Sequence, residues 1–209
     1  MEASITLKKV GKLVGDKTIL AGLTFGVERG SLVAIVGAND SGKSSLLKLL
    51  SGFENPDYGQ VFLHGLDMNK RRNETRMLVG YVPDATDLDP WLTLKQNILF
   101  TANLFHVEHE KAASRIFDYA NLLMMTPFLN ELARDVSHGI QKKTMLIREL
   151  VHDPEVLILD EPTGYMDAES NRITWDLLKK LKGNKSIIYV SNSLPEVEQA
   201  HDRILVFQD

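Results

Sequence analysis

Residues 32–52 read LVAIVGANDSGKSSLLKLLSG, and this stretch decides the fold. Leu32 to Val36 is a continuous apolar run of strand length. The Lys-Ser-Ser-Leu-Leu-Lys-Leu-Leu pattern that begins at Lys43 is typical of a helix, and Gly52 supplies its C-cap. A buried strand, a glycine-containing loop and a helix in this order predict one βα unit of a parallel sheet.

The loop between this strand and helix, residues 37–44, matches the pattern G-x-x-x-x-G-K-[ST]. Gly37 and Gly42 permit close backbone approaches, so that successive N–H groups can surround a phosphate at the positive end of the helix. A chance glycine-rich turn is the alternative, but the flanking strand and helix argue against it. The candidate nucleotide-binding residues are Gly37, Asn39, Asp40, Ser41, Gly42, Lys43, Ser44 and Ser45. Lys43 would reach the β- and γ-phosphates of a phosphorylated ligand, and the Ser44 hydroxyl would bind Mg²⁺.

A second strand carries acidic residues at its end. Val156 to Leu159 is apolar and leads into Asp160 and Glu161, at the sheet edge where ligands of open α/β sheets collect. A solvated strand end is the alternative reading. Beside a phosphate loop, however, we expect Asp160 to hold Mg²⁺, mostly through its water, and Glu161 to orient or deprotonate an attacking water.

Length and composition set limits on the class of protein. The chain has 209 residues, 24 basic and 28 acidic side chains, a net charge of -4 and no cysteine, which predicts one compact α/β domain over residues 1–209. Disulfides and thiolate metal sites are excluded. The charge balance argues against a nucleic-acid partner or a polybasic lipid-binding surface. No apolar stretch is long enough to cross a bilayer and no secretion signal is visible, so we expect a cytoplasmic location.

Other segments complete the predicted fold. Residues 4–8 and 23–28 favour early antiparallel strands, and short apolar runs predict further strands at 61–63, 79–82, 187–190 and 204–207. A helix is predicted over 168–182, and the chain between about 91 and 152 is almost wholly helical in pattern. The prediction is an α/β P-loop NTPase fold with a mainly parallel core sheet, an N-terminal antiparallel β-subdomain and an inserted helical subdomain.

Six ordered segments carry a resemblance to a known family. They are the phosphate loop in GANDSGKSSLLKLLSG, YVPD at 81–84, VSHGIQKK at 136–143, VLILDEPT at 156–163, YMD at 165–167 and SNSLPEVEQAHDRI at 191–204. The guanine-recognition and metal-strand motifs of GTPases, NKxD and DxxG, do not occur. In order and spacing the six segments resemble the ATP-binding domains of ABC transporters over nearly the whole chain.

The resemblance implies a head-to-tail pair of such domains with two ATP molecules between them. The phosphate loop of one domain and the signature segment of the other would hold each nucleotide. Ser137 and the Gly139 backbone would then donate to the γ-phosphate held by the partner domain, at the start of a helix. Ser137 could also serve as an ordinary N-cap. A membrane permease is the other implied partner, with the helical subdomain and the loop after Asp84, including Trp91, docking onto it. Alternatively, Trp91 folds back onto the helical subdomain.

The chain departs from the family pattern at several accessory positions. The signature reads VSHGI instead of LSGGQ, Asp84 occupies the place of a glutamine, and Asn192 that of the switch histidine. Unless Asp84 ligates Mg²⁺ directly, its charge should weaken assembly of the site. Asn192 can donate a hydrogen bond to the γ-phosphate but cannot become cationic. No aromatic residue lies near Val14, where the family stacks a ring on adenine.

These departures suggest a domain that binds Mg-ATP and hydrolyses it slowly, similar to the degenerate first ATPase domain of tandem ABC efflux proteins. The leading hypothesis is an ATPase at the cytoplasmic face of the membrane that drives a permease, an exporter. A nucleotide-sensing domain with little turnover is the second hypothesis. A soluble ABC protein acting outside transport is the third.

Overall fold

The computed structural model describes residues 3–38, 40–199 and 201–207. Its contacts divide the chain into two compact units. The sheet unit comprises Met1–Tyr81, Glu155–Asp160 and Leu181–Asp209. The helical unit comprises Val82–Pro154 and Glu161–Lys180.

The sheet unit contains an antiparallel sheet with the strand order β2-β1-β4-β5. Its strands are β1 (Ala3–Val14), β2 (Lys17–Glu28), β4 (Tyr58–Leu63) and β5 (Leu66–Asp67). Both long strands extend well beyond the predicted segments 4–8 and 23–28. Register shifts follow Leu7, and the strand continues past Lys9 at a φ of 51°. A bulge of this kind breaks the alternation of side chains, and the pattern therefore hid the second half of β1.

A five-stranded sheet with the order β6-β7-β8-β3-β9 forms the other layer. Its strands are β3 (Leu32–Gly37), β6 (Val79–Val82), β7 (Val156–Asp160), β8 (Ser186–Val190) and β9 (Arg203–Phe207). β3 pairs in parallel with both β8 and β9, and β7 pairs in parallel with β8. All five strands lie close to the predicted apolar runs, and the parallel core sheet is confirmed.

Helix α1 (Lys43–Leu50) follows β3 and contributes four fully buried leucines to the core. The same apolar cluster contains Ile5 and Leu7 of β1 together with Ile35 and Ile158 of the parallel sheet. One core therefore joins both sheets within this unit. Helices α2 (Arg72–Met77) and α7 (Leu194–Gln199) are short connections.

The helical unit contains α3 (Leu94–Leu104), α4 (His109–Leu122) and α5 (His138–Leu150), and nearly all of α6 (Ala168–Leu181). α3 begins at a capping box in which Thr93 and Gln96 bond each other's backbone N–H groups. The helical pattern predicted between about 91 and 152 has a buried face on and just after α4, which comprises Ala112, Ile116, Ala120 and Leu123. Two 3₁₀ turns, Thr126–Phe128 and Ala133–Asp135, precede α5.

Helix α6 (Ala168–Leu181) matches the prediction over 168–182 to within one residue. Its buried residues are Thr174, Trp175, Leu177 and Leu178. In the part of the chain that the structure describes, no helix combines the length and apolar character that crossing a bilayer requires.

Candidate functional site

The phosphate loop joins β3 to α1 inside the sheet unit, and close backbone packing explains its two glycines. A Cβ on Gly37 would stand 2.7 Å from the carbonyl oxygen of Phe207. Gly42 has a φ of 90°, and a Cβ there would stand 2.8 Å from Leu20 Cδ2. Both contacts are shorter than real Cβ contacts, and the positive φ adds strain for any L side chain. Asn39, which we predicted to bind nucleotide, lies outside the described residues.

Lys43 is the first residue of α1, and its ammonium group lies within the loop. The side chain is only 7% exposed. Nζ donates to the carbonyl oxygens of Gly37 at 2.9 Å and Ala38 at 2.6 Å. The positive charge is therefore fixed at the loop by two hydrogen bonds, and its placement does not depend on a mobile side chain.

The donor groups of the loop fit a phosphate. Ser41 Oγ is buried and has no hydrogen-bond partner among the residues that the structure describes. The N-cap residue Gly42 offers no side-chain cap and the first turn of α1 carries no acidic residue, so its backbone N–H groups are open to an anion. Ser44 is exposed and Ser45 is half-buried on this first turn. Asp40 takes a φ of 62° beside them.

A cavity of about 380 Å³ opens beside the phosphate loop in the sheet unit. β2 lines one wall through Lys17 to Ala21, and Asp40, Ser41 and Phe207 complete it. Val14, the position at which the family stacks a ring on adenine, is exposed. Phe207 is an aromatic neighbour of the loop that the sequence did not reveal, because only the pairing of β9 with β3 brings it there.

The strand order brings two more predicted residues to the same edge of the sheet. Ile35, Val190 and Asp160 lie opposite one another across β3, β8 and β7. Asp160 ends β7 and is 5% exposed, while Asn192 follows β8 and is exposed. These side chains thus project from the edge that carries the phosphate loop.

Ser191 is a residue of this edge that sequence reasoning missed. It is buried, and its hydroxyl donates to Glu196 Oε2 at 2.8 Å while accepting from the Ser193 N–H at 3.0 Å. The two bonds fix the turn that presents Asn192. A polar residue placed directly after a buried strand was the available signal.

In the helical unit, Glu161 begins a tight turn with a φ of 47°. Its carbonyl oxygen accepts from the Gly164 N–H at 3.0 Å. A left-handed conformation is uncommon for glutamate and costs of the order of 1 kcal/mol, and strain of this kind is concentrated at functional sites. The turn follows Asp160 directly in the sequence.

Ser137 is the N-cap of α5, as expected, and its Oγ accepts from the Ile140 N–H at 3.4 Å. A Cβ on Gly139 would stand 2.8 Å from the carbonyl oxygen of Tyr165, so only glycine fits. The exposed rings of His138 and Tyr165 lie 5.6 Å apart. The first turn of α5 is thereby packed against the turn that contains Tyr165.

Asp84 follows β6 in the helical unit, and its side chain is 52% exposed. Its Oδ1 lies 3.9 Å from Nζ of Lys142, a buried lysine of α5 that sequence reasoning missed. The same oxygen is 3.9 Å from the position that a Cβ on Gly164 would take. Asp84 therefore lies near the turn that begins at Glu161.

Residues 20–164 match the protein-family model described as ABC transporter. The Nod factor export ATP-binding protein I of Burkholderia orbicola (strain AU 1054) is 31% identical over 208 residues, which are 99% of this chain and 68% of that protein. Its namesake in Rhizobium meliloti (strain 1021) is 29% identical over 98% of this chain and 62% of that protein.

Two solved structures share the fold. An ATP-binding subunit of an ABC transporter superposes with a TM-score of 0.91 at 21% identity, covering 98% of this chain and 85% of that one. A dimeric ATP-binding cassette in a post-hydrolysis state, bound to ADP and Pi, gives a TM-score of 0.88 at 24% identity, covering 98% and 94%. With the family model covering most of the chain, these findings show that the protein belongs to the ABC transporter family as an ATP-binding cassette ATPase.

Proposed function

We propose that this chain is the ATP-binding subunit or domain of an exporter, and that it binds Mg-ATP at a dimer interface and couples binding and hydrolysis to a membrane permease. The observation that carries the proposal is the phosphate loop, in which two carbonyl oxygens hold the Lys43 ammonium group and the Ser41 hydroxyl is left open. Homologues named as Nod factor export proteins support the direction of transport. The cytoplasmic face of the membrane is the proposed location.

The loop residues 37–45 would bind the phosphates of ATP, with Lys43 at the β- and γ-phosphates. Ser44, Asp160 and Asp84 would hold Mg²⁺, since hydroxyl and carboxylate oxygens are its preferred protein ligands. When bound, the ion neutralises charge on the β- and γ-phosphates. Asp160 is suited to this role because its carboxylate ends β7 at the edge of the sheet that carries the phosphate loop.

Two side chains would act on the reaction itself. Glu161 would orient or deprotonate the attacking water, and the strained turn at this residue supports such a role. Asn192 would donate a hydrogen bond to the γ-phosphate from the turn that Ser191 fixes. No step requires a residue that the chain lacks, so hydrolysis at this site is chemically feasible.

Ser137 and the Gly139 backbone would donate hydrogen bonds to the γ-phosphate of the ATP that the partner cassette holds. The N-terminal turn of α5 presents backbone N–H groups and the serine hydroxyl, a combination that favours an anionic γ-phosphate. The structural neighbour described as a dimer bound to ADP and Pi supports the pairing of two cassettes. Nucleic acid is not among the proposed partners, because the net charge of -4 offers no electrostatic attraction.

The permease would dock on the surface that contains Trp91. The indole is 69% exposed although the Arg134 guanidinium lies 4.1 Å from its ring centre. The ring therefore contacts the helical unit and still presents most of its area to a partner.

Co-purification of the full chain from its native membranes, followed by ATPase assays alone and with the partner, tests the proposed function. We expect a polytopic membrane protein in the complex and a turnover that increases with this partner. Recovery with ribosomes, or with no membrane protein at all, would contradict the proposal.

Asn192→His is expected to raise turnover about tenfold with the partner present, because an imidazole can become cationic against a charged γ-phosphate whereas an amide cannot. Phosphate release measured at saturating Mg-ATP checks the effect. Asn192→Ala is the control and should lower the rate. If the histidine leaves the rate unchanged, a nucleotide-sensing domain with little turnover becomes the better reading.

A further inference from the structure

Lys142 is among the largest fully buried side chains of the described residues, with 1% of its surface exposed. It lies on α5, five residues after Ser137. Its Nζ donates to the carbonyl oxygen of Pro83 at 2.6 Å and to that of Asp84 at 3.0 Å. A lysine side chain is rarely this deeply buried in a folded protein. Here its ammonium group donates to both carbonyl groups of one dipeptide.

The neighbouring lysine, Lys143, donates to a different segment of the chain. Lys143 is also buried, and burial lowers its pKa although Asp167 and Glu169 act in the opposite direction. Its Nζ donates to the carbonyl oxygen of Leu123 at 3.3 Å, at the end of α4. Two adjacent lysines therefore serve different segments, and Lys142 is the one that reaches the segment after β6.

The hydrogen bonds to the carbonyl groups dominate over the ion pair with the Asp84 carboxylate. The carbonyl bonds are 2.6 and 3.0 Å long and part-buried, whereas Asp84 Oδ1 is 3.9 Å away and its side chain is half-exposed. Charged donors to neutral acceptors contribute more than a solvated ion pair. Lys142 thus fixes the backbone that carries Asp84, and its charge also offsets that of the carboxylate.

We propose that Lys142 is a positioning residue that joins the 83–84 segment to the first turns of α5. Asp84 and the signature residues Ser137 and Gly139 then move as one body when a partner displaces either end. The inference rests on the proposed function. A permease that docks at the loop after Asp84 would, through Lys142, displace the N-terminal end of α5, which faces the nucleotide.

Lys142→Met tests the proposal, since methionine keeps an unbranched side chain and removes the donor. We expect a nonspecific protease to cleave the segment 84–88 about tenfold faster, because the two hydrogen bonds that hold this segment to α5 are lost and the segment opens more often. With the permease present, kcat should fall about tenfold at an unchanged Kd for ATP, because misplacement of a coupled element affects the reaction more than phosphate binding. Lys142→Arg should restore part of both effects.

Lys143→Met is the matched control and should leave cleavage of the segment 84–88 unchanged. Asp84→Asn should change that cleavage less than about twofold, since the carbonyl bonds remain. Equal cleavage of 84–88 in Lys142→Met and the wild type would overturn the proposal, as would a kcat that falls only in proportion to the folded fraction. If Lys142→Met does not fold, Lys142→Arg decides: a cleavage rate at 84–88 that departs from the wild type only together with cleavage within α5 would overturn the proposal. An inactive wild-type complex would instead contradict the proposed function, which the cleavage data alone do not test.

Discussion

Replacing Lys43 by alanine is expected to weaken ATP binding by at least about a hundredfold, because charged hydrogen bonds of roughly 1.5–3 kcal/mol each are lost at the β- and γ-phosphates. The ammonium group is already fixed by the carbonyl oxygens of Gly37 and Ala38, so ATP binding does not have to order it. The substitution also leaves these two carbonyl groups beside the nucleotide, where they repel phosphate oxygens. Isothermal titration calorimetry with Mg-ATP measures the affinity.

Lys48→Ala is the matched control on the same helix. Lys48 lies in the last turn of α1 and pairs with Glu54 at 3.5 Å, in a partly exposed position. Its loss removes the same charge from the same helix, and the affinity should change less than about twofold. If Lys43→Ala retains ATP as well as Lys48→Ala does, the phosphate loop is not the nucleotide site.

The phosphate loop could be predicted because its determinants are local. Leu32 to Val36, the two glycines and the helix pattern after Lys43 lie within one short stretch of sequence, and hydrophobic periodicity with a fixed motif specifies each. Asp160 and Asn192 could be placed at the same edge by a general rule, since parallel strands end on one side of a sheet. In the structure, the register of β7, β8 and β3 aligns Asp160 with Val190 and Ile35 at this edge.

The features that escaped prediction depend on contacts between distant segments. Phe207 reaches the cavity beside the loop through strand pairing, and Lys142 reaches Pro83 across 59 positions of sequence. Neither residue has a local sequence signature. Phe207 is placed by strand pairing, and a lysine on a helix is ordinarily a solvated side chain. The length of β1 was missed for a different reason, since the bulge after Leu7 interrupts the side-chain alternation on which strand prediction rests.

Glu161→Gln is expected to lower steady-state turnover about a hundredfold or more while the Kd for Mg-ATP stays within about twofold of the wild type. Glutamine preserves the size and the hydrogen-bonding reach of the side chain but cannot accept a proton from water. The strained φ of 47° belongs to the backbone and is the same for both residues, so the turn to Gly164 should persist. Phosphate release by the complex with its permease measures the effect.

Glu169→Gln provides the control, because Glu169 lies exposed in the first turn of α6, eight positions further along the chain. Its loss removes an equal charge and should leave the rate unchanged. An unchanged rate in Glu161→Gln would mean that another cassette in the assembly performs the hydrolysis. The nucleotide bound at Lys43 would then act through binding alone. In that case Lys43→Ala would abolish transport, whereas Glu161→Gln would not. The pair of variants therefore shows whether the nucleotide bound by this chain is hydrolysed or acts as a regulator.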